Sequence, residues 1–126
     1  RLRFLTLLLM PPRNSLYAAC DARFKAMVAG GAVAEARALG TAGPDARLPA
    51  MKAVGLRELL RHAVGDITRE DAVRLGQQAT RRYAKRQMTW FRHQMTPDHI
   101  ISEQYSETLK PKIFSYISTF LLTSPP

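Results

Sequence analysis

One uninterrupted run constrains this chain more than any other: Thr80-Arg81-Arg82-Tyr83-Ala84-Lys85-Arg86-Gln87-Met88-Thr89-Trp90-Phe91-Arg92. It holds five fixed cations, the single tryptophan and two further aromatics. Neither Gly nor Pro breaks it, so it reads as helix. The helix is predicted over residues 68–95. Thr68-Arg69-Glu70-Asp71 resembles a capping box at its start, and Thr96-Pro97 ends it. At about 100° per residue, Arg74, Gln78, Arg81, Lys85 and Arg92 share a sector roughly 60° wide. Ala72, Ala79, Tyr83, Gln87, Trp90 and Phe91 fall on the far side. The expectation is a cationic rail held from behind by an aromatic anchor. Trp90 then belongs to the core, and Gln87 hydrogen-bonds a backbone group or a neighbouring domain.

A charged helix face is ordinarily just solvated, but such faces mix signs. Here the i±4 neighbours of Arg81 are Gln77 and Lys85, and those of Lys85 are Arg81 and Thr89. The rail carries no internal compensation, which points to a polyanion laid along it. The whole chain agrees. Its 126 residues carry 19 Lys and Arg against 10 Asp and Glu, a net charge of +9 that attracts nucleic acid or an anionic membrane. The apolar run Leu7-Leu8-Leu9-Met10 is far too short to span a bilayer and stops at Pro11-Pro12, so a membrane role is not expected. Arg1 and Arg3 ahead of that run suggest a signal peptide, yet no small-residue cleavage site follows. The lone Cys20 forms no internal disulfide and reads as a buried, inert thiol; a cytoplasmic location is expected. His62, His93 and His99 show no metal spacing with Cys20, and no metal site is assigned.

In chain order, residues 2–10 read as a buried strand ended by the two prolines. No second convincing strand is found, so its sheet partners are expected outside the chain, which is read as a fragment, residues 1–126, of a longer protein. Helices are expected over residues 13–65. The first is capped by Asn14 or Ser15, has Leu16, Tyr17, Cys20, Phe24, Met27 and Val28 inward, and stops at Gly30-Gly31. A short one follows from residue 32 to about 39, then a Gly- and Pro-bearing loop. A third opens at Leu48-Pro49 and runs through Gly55, where a close backbone approach is expected. Residues 97–105 read as a polar linker. A last helix within residues 106–123 carries Leu109, Ile113, Tyr116, Ile117, Phe120 and Leu121 toward the bundle, with Pro111 tolerable only in a first turn. The fold class is therefore mainly α: about five helices and one N-terminal strand.

The basic run resembles the signature of the tRNA dimethylallyltransferases, T-R-x-[YL]-A-K-R-Q-x-T-W-[FL]-R, and matches it throughout. Further blocks resemble the same family in the same order: Pro11-Pro12-Arg13; Arg23-Phe24 with Met27, Gly31 and Glu35; and Leu48-Pro49-Ala50-Met51-Lys52-Ala53-Val54-Gly55 through Arg57-Glu58-Leu59. Residues 93–126 carry no distinctive motif. Ala19, Cys20 and Leu56 depart from the common Arg, Ile and Tyr, which implies one cation fewer near the active-site face and one aromatic fewer near RNA.

The resemblance implies the C-terminal part of an α/β P-loop-type enzyme, monomeric when intact, with ATP-type nucleotide-binding architecture and magnesium. It implies transfer of a dimethylallyl group from dimethylallyl diphosphate to N6 of the adenine next to the anticodon, a base that must leave its stack to be reached. The diphosphate-cradling loop, the general base and the Mg2+ ligands are expected in the missing N-terminal half; no G-x-x-x-x-G-K-[ST] occurs here. Arg23 matches the arginine aimed at the diphosphate and is the one catalytic candidate. Two blocks are carried over to the tRNA anticodon stem-loop. One is Lys52, Ala53, Val54, Gly55, Leu56 and Arg57. The other is Lys85, Arg86, Gln87, Met88, Thr89, Trp90, Phe91 and Arg92, to which the rail adds Arg81. The rival readings are a stand-alone basic helical RNA- or DNA-binding module without catalysis, and a P-loop kinase-like relative acting on a nucleotide.

Overall fold

Proline and glycine set most of the boundaries in the computed structural model, which describes residues 2–123. Pro11 and Pro12 separate strand β1 (Leu7–Leu9) from helix α1 (Arg13–Ala29). Pro12 itself sits at the N-cap, with φ −55° and its carbonyl accepting from the Leu16 N–H at 3.0 Å. Asn14 and Ser15, expected as caps, lie inside the first turn instead, because the proline already presets the entry angle. Gly31, at φ 109°, turns the chain into α2 (Ala32–Ala42), which continues through Gly40 beyond its expected end.

The segment expected to form one helix from residue 48 is two elements: a 3-10 turn, Pro49–Lys52, and helix α3 (Leu56–Ala63). Gly55 breaks it, at φ 89°, a left-handed conformation that helix interiors do not admit. Helix α4 (Arg69–Gln94) opens where the Thr68 hydroxyl accepts from the Asp71 N–H at 3.1 Å. Glu70 and Asp71 lie at its positive end and Arg92 and His93 at its negative end, so both termini favour the helix dipole.

The core lies where α1, α2, α3 and α4 meet. Phe24, Val28, Ala36 and Leu59 are buried there, with Ala32, Val33, Leu56, Leu60 and Val73 packed around them. Phe24 is 3% exposed, and its ring fills the space two glycines leave. A methyl group on Gly55 of the turn or on Gly76 of α4 would overlap the Phe24 ring. α1 and α4 run antiparallel: Asp21 meets Arg81, Phe24 meets Gly76, and the Val28 carbonyl meets Arg69. That register carries Ala84 and Met88, both buried, alongside the first turns of α1.

Residues 97–105 contain a strand that the sequence reading missed. β2 (His99–Ile101) pairs in parallel with β1, with Leu7 opposite His99 and Leu9 opposite Ile101. Three residues with one aliphatic pair give too weak a pattern to stand out from a linker. The Asp98 carboxylate fixes the register by accepting from the Thr6 N–H at 2.7 Å, and Ile101 is fully buried. α5 (Lys110–Leu122) follows a 3-10 turn, Glu107–Leu109, with Pro111 in its first turn. The expected packing of α5 back on the bundle does not occur. Phe114 and Leu121 are exposed, and no described residue of α5 is buried. The helix instead meets β2 and the segment ahead of β1: Tyr116 stacks on His99 with centroids 3.8 Å apart, and the Arg3 guanidinium lies 4.5 Å from the Phe120 ring centroid.

The wedge makes a sharp prediction for chemical denaturation of the protein carrying this chain. Phe24→Ala should cost about 3–5 kcal/mol. Gly76→Ala, an otherwise helix-favouring change, should destabilise by about 1–3 kcal/mol through overpacking. A stabilised Gly76→Ala protein would show that the ring has room to move.

Candidate functional site

α4 buries a ridge rather than a face. Ala72, Gly76, Ala84 and Met88 are buried and Thr80 is half-buried between them, a strict four-residue spacing. With 3.6 residues per turn, each such step rotates the contact by about 40°, so the buried line winds roughly 160° around the helix from Ala72 to Met88. This overturns the single-face geometry expected from the sequence. Trp90 projects at the same helical angle as Ala72, yet Ala72 is buried and Trp90 is 56% exposed. Tyr83 and Gln87 are exposed as well, and Gln87 donates from Nε2 to the Tyr83 hydroxyl at 3.3 Å rather than to backbone.

The rail is corrected in the same way. Arg81 donates from Nη1 to both carboxylate oxygens of Asp21, at 2.6 and 2.7 Å, in a pair with about a third of each side chain exposed. Gln77 adds a bond from Nε2 to the Asp21 carbonyl at 3.1 Å. Arg74 is held by Asp71 at 3.0 Å, and the guanidinium beside it lowers the Asp71 carboxyl below its usual value. Arg81 and Arg74 therefore tie the helix to its own chain. Arg82, Lys85, Arg86 and Arg92 are exposed, and among the described residues none of them has a carboxylate within ion-pair distance. Between Asp71 and Asp98 the sequence contains no Asp or Glu. Arg82, Lys85, Arg86, Thr89, Trp90, His93 and Gln94 line a groove of about 810 Å3 on this flank.

A second concavity, about 480 Å3, lies between α1, the 3-10 turn and α4. It brings together residues that the sequence analysis singled out separately. Arg23 comes from α1, Lys52 from the 3-10 turn, Ala53 and Val54 from the link between that turn and α3, and Thr80 and Tyr83 from α4. Phe24 and Met27 supply an apolar wall, and Cys20 is half-buried on the same wall rather than enclosed. Arg23 is exposed beside a buried neighbour, so the Phe24 wedge fixes where its side chain starts. Tyr83 joins the two concavities, because the Arg86 guanidinium of the groove lies 5.8 Å from its ring centroid.

Not every residue carried over to RNA offers a side chain. Gly55 and Met88 are buried, Leu56 packs on the core, and Phe91 is half-buried. Arg57 is exposed on α3 outside the cavity lining. Sequence reasoning missed Asp21, whose only signal was a lone acid on a helix otherwise free of carboxylates, four residues before Lys25. It also gave His62 and His99 no role; His62 Nδ1 lies 3.0 Å from the Ile67 carbonyl and His99 stacks on Tyr116. Among the described residues no three His, Cys, Asp or Glu side chains converge to hold a metal ion. None of the described helices is long and apolar enough to cross a membrane.

A mostly helical body with a cation-bearing cavity and an acid-free basic flank has the charge to attract phosphate-rich ligands. The chain belongs to the IPP transferase family, whose family model matches residues 1–94. It is 61% identical over 94 residues to a tRNA dimethylallyltransferase of Rhodospirillum centenum, covering 75% of this chain and 30% of that relative. It is 48% identical over 120 residues to one of Parvibaculum lavamentivorans, covering 95% and 38% respectively. Among solved structures, a tRNA delta(2)-isopentenylpyrophosphate transferase of Staphylococcus epidermidis superposes with a TM-score of 0.80 at 29% identity, covering 91% of this chain and 38% of that one. A tRNA isopentenylpyrophosphate transferase of Bacillus halodurans gives 0.79 at 28% identity, covering 93% and 39%. The chain thus spans a third or so of the length of these relatives.

The structural role of Arg81 is testable by a double-mutant cycle. Asp21→Ala and Arg81→Ala should show a coupling of about 0.5–1 kcal/mol in denaturant unfolding, modest because both groups are partly solvated. Lys85→Ala should change stability by less than about 0.5 kcal/mol. Zero coupling between Asp21 and Arg81 would return Arg81 to the set of free cations.

Proposed function

We propose that this chain is the C-terminal part of a tRNA-modifying prenyltransferase, which moves a dimethylallyl group from dimethylallyl diphosphate to N6 of the adenine next to the anticodon. One observation carries the reading. The cavity that holds Arg23 is also walled by Lys52, Ala53 and Val54, so the diphosphate candidate and an RNA candidate serve one space. The reaction breaks the bond between the allylic carbon and the diphosphate oxygen and forms one from that carbon to N6. Negative charge collects on the departing diphosphate, where the Arg23 guanidinium offsets it with charge-assisted hydrogen bonds. The N6 proton leaves to a base outside this chain, and the P-loop and magnesium ligands are assigned outside it too.

The RNA strand is assigned to the unpaired cations of α4. Lys85, Arg86 and Arg92 take phosphate or sugar contacts, which position the strand without reading its sequence. Arg82 joins them, as an exposed cation in the same groove. Arg81 leaves that set because Asp21 already occupies it. The apolar wall of Phe24 and Met27 suits the hydrocarbon end of the donor, or the face of the extruded base.

Kinetics on the full-length enzyme separate these roles. Arg23→Ala should lower turnover by about 10²–10³-fold at near-normal tRNA affinity. Lys85→Ala should weaken tRNA binding at unchanged donor affinity and reduce the slope of log K against log salt by about 1. The opposite pattern would mean the two sites are exchanged. The 126-residue chain alone should bind RNA weakly, with steep salt dependence, and transfer no prenyl group; transfer by the chain alone would sink the reading.

A further inference from the structure

Trp90 is the feature that neither the cavity chemistry nor the packing of α4 uses. It is 56% exposed at the rim of the groove that Arg86 and His93 also line, and it is the chain's single tryptophan. Phe91 stands edge-on to it, with centroids 5.6 Å apart and an interplanar angle of 76°. Phe91 is itself half-buried, so the indole is braced from one side while much of its surface stays open. Arg86 and His93 stand at i−4 and i+3 from Trp90, which puts them beside the indole on the same helix surface. A tryptophan at the centre of a protein–protein interface lies where charged residues other than Arg are depleted. This one has a cationic rim with no carboxylate in it.

We propose that Trp90 is a stacking platform for one unpaired base of single-stranded RNA, with Lys85 and Arg86 holding phosphates of the same strand. The proposal rests on the reading of α4 as RNA-facing and deepens it, by naming the form of RNA that the flank selects. Stacking uses the π-face that every base has, so the platform distinguishes unpaired from paired nucleotides rather than one base from another. A duplex keeps its bases stacked internally and offers the groove only phosphates. The flank thus gains affinity only where a loop exposes a base, as any substrate whose target base must be extruded will do. Stacking displaces no counterion, whereas each phosphate contact does. The two contributions to binding therefore separate experimentally.

The test uses the full-length protein carrying this chain, an RNA hairpin with an unpaired loop, and a blunt RNA duplex of equal charge. Trp90→Ala should weaken binding of the hairpin by about five- to hundredfold, with the slope of log K against log salt unchanged and duplex binding unaltered. Trp90→Phe should restore most of the loss, because it keeps a π-face. Lys85→Ala should instead weaken both RNAs and lower the slope. Hairpin binding at wild-type strength by Trp90→Ala, beside a normal loss in Lys85→Ala, would overturn the platform and leave the RNA-facing reading intact. Equal losses on hairpin and duplex, or a thermal destabilisation with no change in RNA affinity, would show Trp90 packing against protein and overturn it as well. Failure of the unmodified protein to bind either RNA would remove both proposals together.

Discussion

A single aromatic ring sits where three parts of the chain converge. Phe24 projects from α1 into a space that exists only because Gly55 and Gly76 have no side chains, one in the turn before α3 and one in the middle of α4. Burying a phenylalanine of this kind stabilises by about 1.5–3 kcal/mol relative to leaving it exposed. Its larger effect is geometric. With the ring lodged between two glycines, α1 can neither rotate about its axis nor slide along α4 without collision, because close-packed interiors do not deform smoothly. Arg23 is the next residue, so its position relative to Lys52 and Tyr83 is inherited from that packing. The core and the candidate site are consequences of the same contact.

Charge on α4 is divided by its partners rather than by its position in the sequence. Arg74 and Arg81 look identical to Arg82 and Arg86 in composition, yet the first two are engaged by Asp71 and Asp21, while among the described residues the last two have no carboxylate partner. The pair between Arg81 and Asp21 staples α1 to α4 a little over one helical turn beyond the Phe24 wedge. One cation of the basic run thus builds the platform and its neighbours project from it. The winding of the buried ridge makes this possible. A straight apolar face would have hidden Tyr83 and Trp90, whereas the drifting one leaves them on the same flank as the unpaired cations.

Long-period features of the fold were legible in the residues and short or tertiary ones were not. The prolines before Arg13, the glycines at 30 and 31, and the Thr68 cap announce helix boundaries through local backbone preferences that need no partner, whereas Gly55 was expected inside a helix and in fact breaks it. The basic flank was legible as composition. Its orientation was not, because a wheel drawn at constant angle treats a 26-residue helix as straight and uniformly packed, while this one is buried along a four-residue ridge. β2 was missed because three residues carry too little periodicity, and its pairing depends on a strand far away in sequence. Asp21 was missed for the same kind of reason: nothing local marks an acid whose partner lies 60 residues later. The cavity joining Arg23 to Lys52 was legible only as two separate resemblances, since the wedge that unites them is a contact between glycines and a ring.

The parallel pairing of β1 with β2 has a kinetic consequence. The two strands lie 92 residues apart at their Thr6–Asp98 hydrogen bond, and all of α1 through α4 lies between them. Closing so long a loop is entropically unfavourable until the intervening chain has condensed, and the α1–α4 contacts close shorter loops, 41 residues between Val28 and Arg69 and 60 between Asp21 and Arg81. The expected order has the helices assembling before the strands pair. By the same logic the strand pair, with the Arg3 and His99 contacts that lean α5 against it, is the region that opens first when the folded protein breathes. Amide hydrogens there are expected to exchange ahead of those along the Phe24 wedge.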